Sequence, residues 1–436
     1  MFYSPHTEKD IREMLDRIGL NSLEELYSEV PEEILFKDEY DLPESKSEIE
    51  TRRIFKELCN KNNVLTCFAG GGVYDHYTPA IIPKLLQRSE FLTSYTPYQA
   101  EISQGTLHYI FEFQSMMTRL TGMDISNASM YDGTTATAEA ALMAIASTKK
   151  TDTVLISETV DEKTVDVVKT YAHFHGIKIS MVKSQEGVTD REDLKKQIEG
   201  GGVAGVIVQQ PNRHGIIEDY DGFADICHDN KSLFIMNCIA ADLALLKTPG
   251  ETGADIAVGD AQSLGIPMSF GGPYLGYMCC TEKLMRKMPG RIVGQTTDSR
   301  GQRIFVLTLQ AREQHIRRQK ATSNICSNQS LMALFTTIYM SVMGKEGVKE
   351  AASLSYAGAH YLCDRLKETG HFSMTYGDKP FFNEFCMDYD GDVDALLEHL
   401  KANRILGGLK TGDHTIMFAV TEKRTKEEID KLVSLI

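Results

Sequence analysis

The sequence predicts an α/β protein: a mainly parallel sheet covered by helices, followed by a smaller C-terminal α+β domain. Three observations carry this prediction. From Ala128 to about Cys280, apolar runs of five to seven residues alternate with stretches of helical periodicity, the signature of strands buried on both faces. Beyond 311 the chain alternates helix and strand patterns at shorter spacing. At 436 residues, 42% of them apolar, the chain is long enough for one large core and a smaller one. The expected division is an N-terminal helical arm over 1–60, a large α/β domain over 61–310 and a small domain over 311–436.

Composition narrows the function. A formal charge of −15 argues against nucleic acid or an anionic membrane as partner. No apolar run is long enough to span a bilayer, and the opening MFYSPHTEKD shows no basic-then-apolar leader. Nine cysteines without a CxxC pair suit reduced thiols in a cytoplasmic protein. Cys279 and Cys280 are adjacent in an expected strand, so their side chains should point to opposite faces.

Taken in order, Thr7 with Asp10 and Ser22 with Glu25 read as capping boxes, and Ile49, Ile54, Phe55 and Leu58 form the apolar face of a third helix from about Ser47 to Asn60. A loop, Thr93 to Gln104, precedes a helix with Leu107, Ile110, Phe111, Gln114, Met117 and Leu120 at helical spacing. Next come ASMYDGTTATAEAALMAIAS, a turn feeding a helix whose first turn carries Thr134, Thr135 and Thr137, then TVLIS, a helix to about Tyr171, IKISMV, a helix capped by Thr189 with Glu192, VAGVIVQQP, a helix through Ile226, SLFIMN and the pair DIAVG…YLGYM. From Gln329, QSLMALFTTIYMSVMG is a strongly apolar helix. The tail then runs HYLCDRLKETG, FNEFCMDY, VDALLEHLKANR, TIMFAVT and KEEIDKLVSLI.

Chemistry is expected at the carboxyl ends of the strands. Thr134 and Thr135, before the GTTATAEAA helix, suit either a phosphate cradle or ordinary capping and packing. His214, in QQPNRHG, falls at the same sheet edge and reads as ligand-facing or structural. His173 and His175 have no third ligand, so no metal site is expected. The loop carrying Tyr95, Thr96, Tyr98 and Gln99 is dense in hydrogen-bonding groups, and suits a ligand-facing loop or a plain connection. Arg291, Arg300, Arg303, Arg312, Arg317, Arg318 and Lys320 form a basic stretch in an acidic protein. It suits a substrate carboxylate or phosphate, or intersubunit ion pairs. In an α/β enzyme that uses pyridoxal phosphate, the DAQS turn, Asp260 to Ser263, should carry a lysine, and the end of SLFIMN should carry an acid to hold the pyridine proton. The first offers Gln262 and the second Asn237.

Three long motifs carry a resemblance over essentially the whole chain. SYTPYQAEISQGTLHYIFEFQSMMTRLTGMDISNASMYDGTTATAEAALMA, GDAQSLGIPMSFGGPYLGYM and GRIVGQTTDSRGQRIFVLTLQAREQHIRRQKATSNICSNQ are similar to glycine decarboxylase, the P protein of the glycine cleavage system. The length matches the first subunit of its two-chain form. The resemblance implies a fold-type-I pyridoxal-phosphate-enzyme-like three-layer domain with a seven-stranded, mainly parallel sheet. In the family's other half the cofactor lysine precedes Thr or Ser, two residues and Ile-Pro. Here Gln262 holds that position, before Ser263 and Ile266-Pro267, and the pyridine-binding acid falls on Asn237.

The resemblance therefore implies a subunit without its own cofactor lysine, inactive alone. Its partners would be a lysine-bearing second P-protein subunit holding pyridoxal 5'-phosphate, glycine, and the lipoylated H protein, in a heterotetramer. Together the subunits would decarboxylate glycine and pass the aminomethyl group to the lipoyl arm. Tyr95, Thr96, Tyr98 and Gln99 would enter the neighbouring site, where Tyr95 and Tyr98 would position the cofactor phosphate or glycine carboxylate. Residues around Arg300 to Arg318 would line a lipoyl groove. Two other readings stand beside it: a self-sufficient pyridoxal-phosphate enzyme using another lysine such as Lys247, and a non-catalytic scaffold subunit.

Overall fold

A computed structural model describes residues 5–149, 151–310, 314–321 and 323–436. Its internal contacts divide the chain into two compact units, 1–63 and 64–436.

In the first unit, the helix Glu8–Ile18 starts on a reciprocal cap between Thr7 and Asp10 and ends at Gly19, whose φ of 76° gives the left-handed close. The helix Glu48–Cys59 starts on the same device, Ser47 with Glu50. The expected box at Ser22 and Glu25 does not form. A 3₁₀ turn, Glu24–Tyr27, lies there without a side-chain cap, and the Glu25 carboxylate accepts from the Asn21 N–H at 2.9 Å instead. Among the unit's described residues only Leu15 is buried.

The second unit is built on a seven-stranded sheet. Its strands are β1 (Ile125–Ser126), β2 (Thr153–Ser157), β3 (Lys178–Val182), β4 (Val203–Gln210), β5 (Leu233–Cys238), β6 (Ile256–Asp260) and β7 (Gly276–Cys280), in the spatial order β1-β7-β6-β5-β4-β2-β3. β2 to β6 pair in parallel, and β7 is antiparallel to both neighbours. The parallel strands are apolar almost throughout because helices cover both faces. On one face the helix Gly133–Ser147 buries a row of alanines, with Glu162–His175 beside it. The small side chains let it lie close on the sheet: a Cβ at Gly205 would meet that of Ala144 at 3.2 Å. The other face is covered by Gln104–Thr121, Arg191–Glu199 and Phe223–Asp229. Cys279 and Cys280 enter opposite layers, as strand alternation requires.

Beyond the sheet, Ile292–Thr297 and Arg303–Thr308 form an antiparallel hairpin, absent from the sequence reading. The long helical span Ser330–Glu368 is broken at Gly344, whose φ is 62°. An antiparallel sheet follows, in which Glu384–Tyr389 and Thr415–Ala419 pair centrally. It is backed by Val393–Ala402 and Lys426–Val433. The helix Arg191–Glu199 is capped by Asp190, not Thr189. Asp190 reaches the N–H groups of Glu192 and Asp193, while the Thr189 hydroxyl bonds Ser157. Among the described residues no helix is long and apolar enough to cross a membrane.

Candidate functional site

Register sets the site. Gln209 of β4 lies beside Asn237 of β5, and Asn237 beside Val258 of β6. The carboxyl ends of three parallel strands thus meet at one edge, where α/β folds place ligands. A cleft of about 330 Å³ opens there, lined by Asp132, Thr134, Asp161, Lys163, Gln209, Arg213, Asn237, Asp260 and Glu384, with the glycine loop Gly71–Gly72 and Tyr74 across from them.

Gln262 belongs to the turn after β6 but does not line this cleft. Its amide is buried and closed on backbone. Oε1 accepts from the Tyr74 N–H at 3.0 Å, and Nε2 donates to the Tyr74 carbonyl at 2.8 Å and the Ile266 carbonyl at 2.6 Å. Both amide hydrogens and the amide oxygen are engaged, two of the three bonds holding the Tyr74 segment against the turn. Asn237 does line the cleft, with its Nδ2 3.5 Å from Gln209 Oε1.

The helix start beside them is already engaged. Asp132 Oδ1 accepts from the Thr135 N–H at 2.8 Å and from the hydroxyls of Thr134 at 2.7 Å and Thr135 at 3.0 Å. Asp260 Oδ2 accepts from the Gly133 N–H at 3.0 Å, and its Oδ1 from the Gln262 N–H at 2.8 Å. Asp132 therefore caps the helix, and both threonine hydroxyls are spent on its carboxylate within the chain. Burial raises Asp260 to about 6, partly offset by these N–H donors.

Glu384, from the C-terminal sheet, is the other charged wall. Its Oε1 accepts from the Gly71 N–H at 2.6 Å and its Oε2 from the Tyr74 hydroxyl at 3.0 Å. Burial raises its carboxyl to about 7. Asp242, in the turn after β5, is buried, and that burial together with Glu384 pushes it well above the usual carboxylate range.

The remaining candidates lie elsewhere. His214 sits against Tyr376 of the C-terminal part, ring centroids 4.6 Å apart, and burial lowers it to about 4, so it is neutral. It does not line the cleft, contrary to the ligand-facing reading; its neighbour Arg213 does, and is ion-paired to Glu162. Tyr95, Tyr98 and Gln99 are exposed, Tyr95 at 80%. Thr96 Oγ1 lies 3.3 Å from Ser327 Oγ, and none of the four lines the cleft. The Arg291 guanidinium lies over the Tyr98 ring at 5.3 Å. In the basic stretch, Arg300 pairs with Asp298 and Arg303 lies over Phe305. Arg318 is exposed and Arg312 falls outside the described residues. A separate pocket of about 180 Å³ is lined by Arg286, Lys287, Arg291 and Arg317. Lys247 pairs with Asp221 away from the cleft. No group of three metal-ligating side chains occurs among the described residues.

Sequence reasoning missed Tyr74, Asp132, Asp161, Lys163, Asp260 and Glu384 as cleft residues. Asp260 stood in the turn already singled out, and an acid two residues before the expected lysine was a usable signal. Glu384 offered none.

Pyridoxal phosphate needs an amine, an acid at its pyridine nitrogen and a free anion cradle. The turn that would carry the amine holds a buried, hydrogen-bonded glutamine outside the cleft. Lys163 lines the cleft but stands on the helix Glu162–His175 and not in that turn. Asn237 stands where the acid would, and the helix start is engaged by two carboxylates. The donor set does not fit the cofactor.

Residues 1–436 match the model of the family "Glycine cleavage system P-protein". A protein of Geobacillus thermodenitrificans (strain NG80-2) named "Probable glycine dehydrogenase (decarboxylating) subunit 1" is 48% identical over 441 residues, covering 99% of this chain and 98% of that protein. The Bacillus subtilis (strain 168) protein of the same name is 48% identical over 440 residues, covering 99% and 97%. The crystal structure of a glycine decarboxylase (P-protein) of the glycine cleavage system in inhibitor-bound form superposes with a TM-score of 0.91 at 41% identity, over 100% of this chain and 99% of that one. An alanine–glyoxylate aminotransferase from Nostoc sp., at 16% identity, shares the fold alone, with a TM-score of 0.60 over 86% of this chain and 95% of its own. The fold is that of the type-I pyridoxal-phosphate enzymes, and the chain belongs to the glycine cleavage system P-protein family.

Proposed function

We propose that this chain is the lysine-lacking subunit of a two-chain glycine dehydrogenase (decarboxylating), acting in the cytoplasm. A second P-protein subunit holds pyridoxal 5'-phosphate on its own lysine. The assembled heterotetramer decarboxylates glycine and passes the aminomethyl group to the lipoyl arm of the H protein. The observation that carries this reading is Gln262: the position that would hold the cofactor is occupied by an amide closed on Tyr74 and Ile266. The bound cofactor supplies the electron sink for loss of the carboxyl group, and this chain supplies surroundings.

The loop Tyr95, Thr96, Tyr98 and Gln99 is the part we assign to the partner's site. The exposed hydroxyls of Tyr95 and Tyr98 and the Gln99 amide are free of this chain's cleft, and Arg291 steadies Tyr98 from behind. Arg312 and Arg318 belong, on this reading, to the approach of the substrate carboxylate or the lipoyl arm. We also retain the division into an arm over 1–60, a large domain over 61–310 and a small domain over 311–436.

The test measures release of carbon dioxide from carboxyl-labelled glycine with lipoylated H protein. This chain alone, with added cofactor, is expected to release none, and the mixture with a lysine-bearing subunit to turn over. Turnover by this chain alone would refute the assignment. Tyr95→Phe and Tyr98→Phe should lower turnover of the complex by about tenfold or more without dissociating it. Unchanged turnover in both would return the chain to a scaffold role.

A further inference from the structure

We propose that Asp260 is a built-in occupant of the anion site at the start of the helix Gly133–Ser147, so that this chain's cleft rejects phosphate-bearing ligands even when a lysine is supplied at position 262. The inference deepens the reading that the partner holds the cofactor: it assigns to this chain a second and independent barrier.

A helix start offers N–H groups and a positive dipole end to an anion. Here the Gly133 N–H is taken by Asp260 Oδ2, and the Thr135 N–H with both threonine hydroxyls by Asp132. The other Asp260 oxygen is bound by the Gln262 N–H. One carboxylate thereby bridges the helix start to the turn that would carry the cofactor lysine.

Space argues the same way. A Cβ at Gly133 would lie 2.7 Å from the Asp260 nitrogen and 2.9 Å from the Gly259 carbonyl carbon. The helix start is pressed onto the end of β6, so a phosphate could approach it from the cleft side alone. Charge adds to it. Asp132, Asp161, Asp260 and Glu384 share the cleft with Lys163 and Arg213, and Arg213 is already paired with Glu162. An incoming dianion would lose its hydration and meet these carboxylates, with Lys163 the cleft cation to set against them.

The test uses the full chain as wild type, Gln262→Lys, Asp260→Ser and the double variant, each checked for native circular dichroism. Inorganic phosphate is titrated by ³¹P NMR, and pyridoxal 5'-phosphate is trapped with borohydride against pyridoxal as control. Wild type and Gln262→Lys should show no saturable phosphate binding, and Asp260→Ser should gain affinity by about tenfold or more. The double variant should be trapped at position 262 by the phosphorylated cofactor well ahead of pyridoxal. Saturable phosphate binding by wild type, phosphate-dependent trapping in Gln262→Lys, or no gain in a folded Asp260→Ser would each overturn the proposal. If Asp260→Ser does not fold, Asp260→Asn carries the same comparison, since it removes the charge while keeping an acceptor for one N–H. If neither folds, the wild-type and Gln262→Lys arms decide alone. A trapped adduct on a native lysine of the wild type would instead sink the half-enzyme reading, a result the phosphate titration does not share.

Discussion

Replacing Gln262 with leucine keeps its volume and removes the amide whose partners are the buried N–H and carbonyl of Tyr74 and the carbonyl of Ile266. Unpaired backbone groups in a dry interior cost more than the bonds contributed. Gln262→Leu should lower stability by about 3 kcal/mol, read as a shift of the urea midpoint, whereas Gln262→Glu should cost more at pH 8 than at pH 5 because its charge is buried. Glu384 makes an opposite case. Its carboxyl titrates near 7 in the folded chain against about 4.3 in an unfolded one. Between those values the folded state holds a proton that the unfolded state has released, so stability falls as pH rises. The fall is complete above 7 and absent below 4. Glu384→Gln keeps an acceptor for the Gly71 N–H and removes this term. The variant should gain up to about 3 kcal/mol on wild type between pH 4.5 and pH 7.5. Parallel curves for the two proteins would show that Glu384 is not the titrating group.

At the scale of elements, the contact between the β4 turn and the C-terminal sheet depends on one glycine. Gly215 has a φ of +80°, and a Cβ there would lie 1.9 Å from the Glu384 carbonyl oxygen. Gly215→Ala combines left-handed strain with a collision against backbone, and should lower stability by about 3 kcal/mol or more. A melting temperature within a degree of wild type would mean that the sheet shifts freely to make room. The parallel strands were legible in the sequence because burial on both faces leaves near-continuous apolar runs between turn residues. The Thr7 cap was legible because the device is local, whereas the same pattern at Ser22 did not form a cap and the Ser47 box went unread. The hairpin Ile292–Thr297 with Arg303–Thr308 was not, since a partly exposed ribbon alternates polar and apolar residues weakly within a charged stretch. The Thr189 cap failed because the adjacent Asp190 competes for the same N–H groups and wins. The site divides along the same line. Gln262 and Asn237 stand inside continuous motifs, so a missing amine and a missing acid could be seen. Glu384 reaches Gly71 and Tyr74 across more than 300 residues of chain, a contact only folding creates.

For the whole molecule, the unit spanning 1–63 poses the question of what its apolar side chains are for. Among its described residues only Leu15 is buried, while Ile18, Leu26, Phe36, Phe55 and Leu58 are each about half exposed or more. The two reciprocal caps hold its helices at their ends, but caps supply about 1 kcal/mol each and do not replace a core. Exposed apolar side chains in this number suit a surface that another protein covers. The partner subunit of the two-chain enzyme is the occupant this reading requires. Phe55→Asp and Leu58→Asp together should therefore leave the melting temperature of the isolated chain within about 2 °C, because exposed positions contribute little to its own stability. The same pair should weaken assembly with the second subunit by about tenfold or more, seen by sedimentation velocity as free subunits at concentrations where the wild type is complexed. Turnover should fall in proportion to the complex lost and recover at high partner concentration, which separates lost assembly from a damaged site. Unchanged assembly with both substitutions in place would remove the arm from the interface and leave the exposed loop at Tyr95 as the remaining point of contact to test.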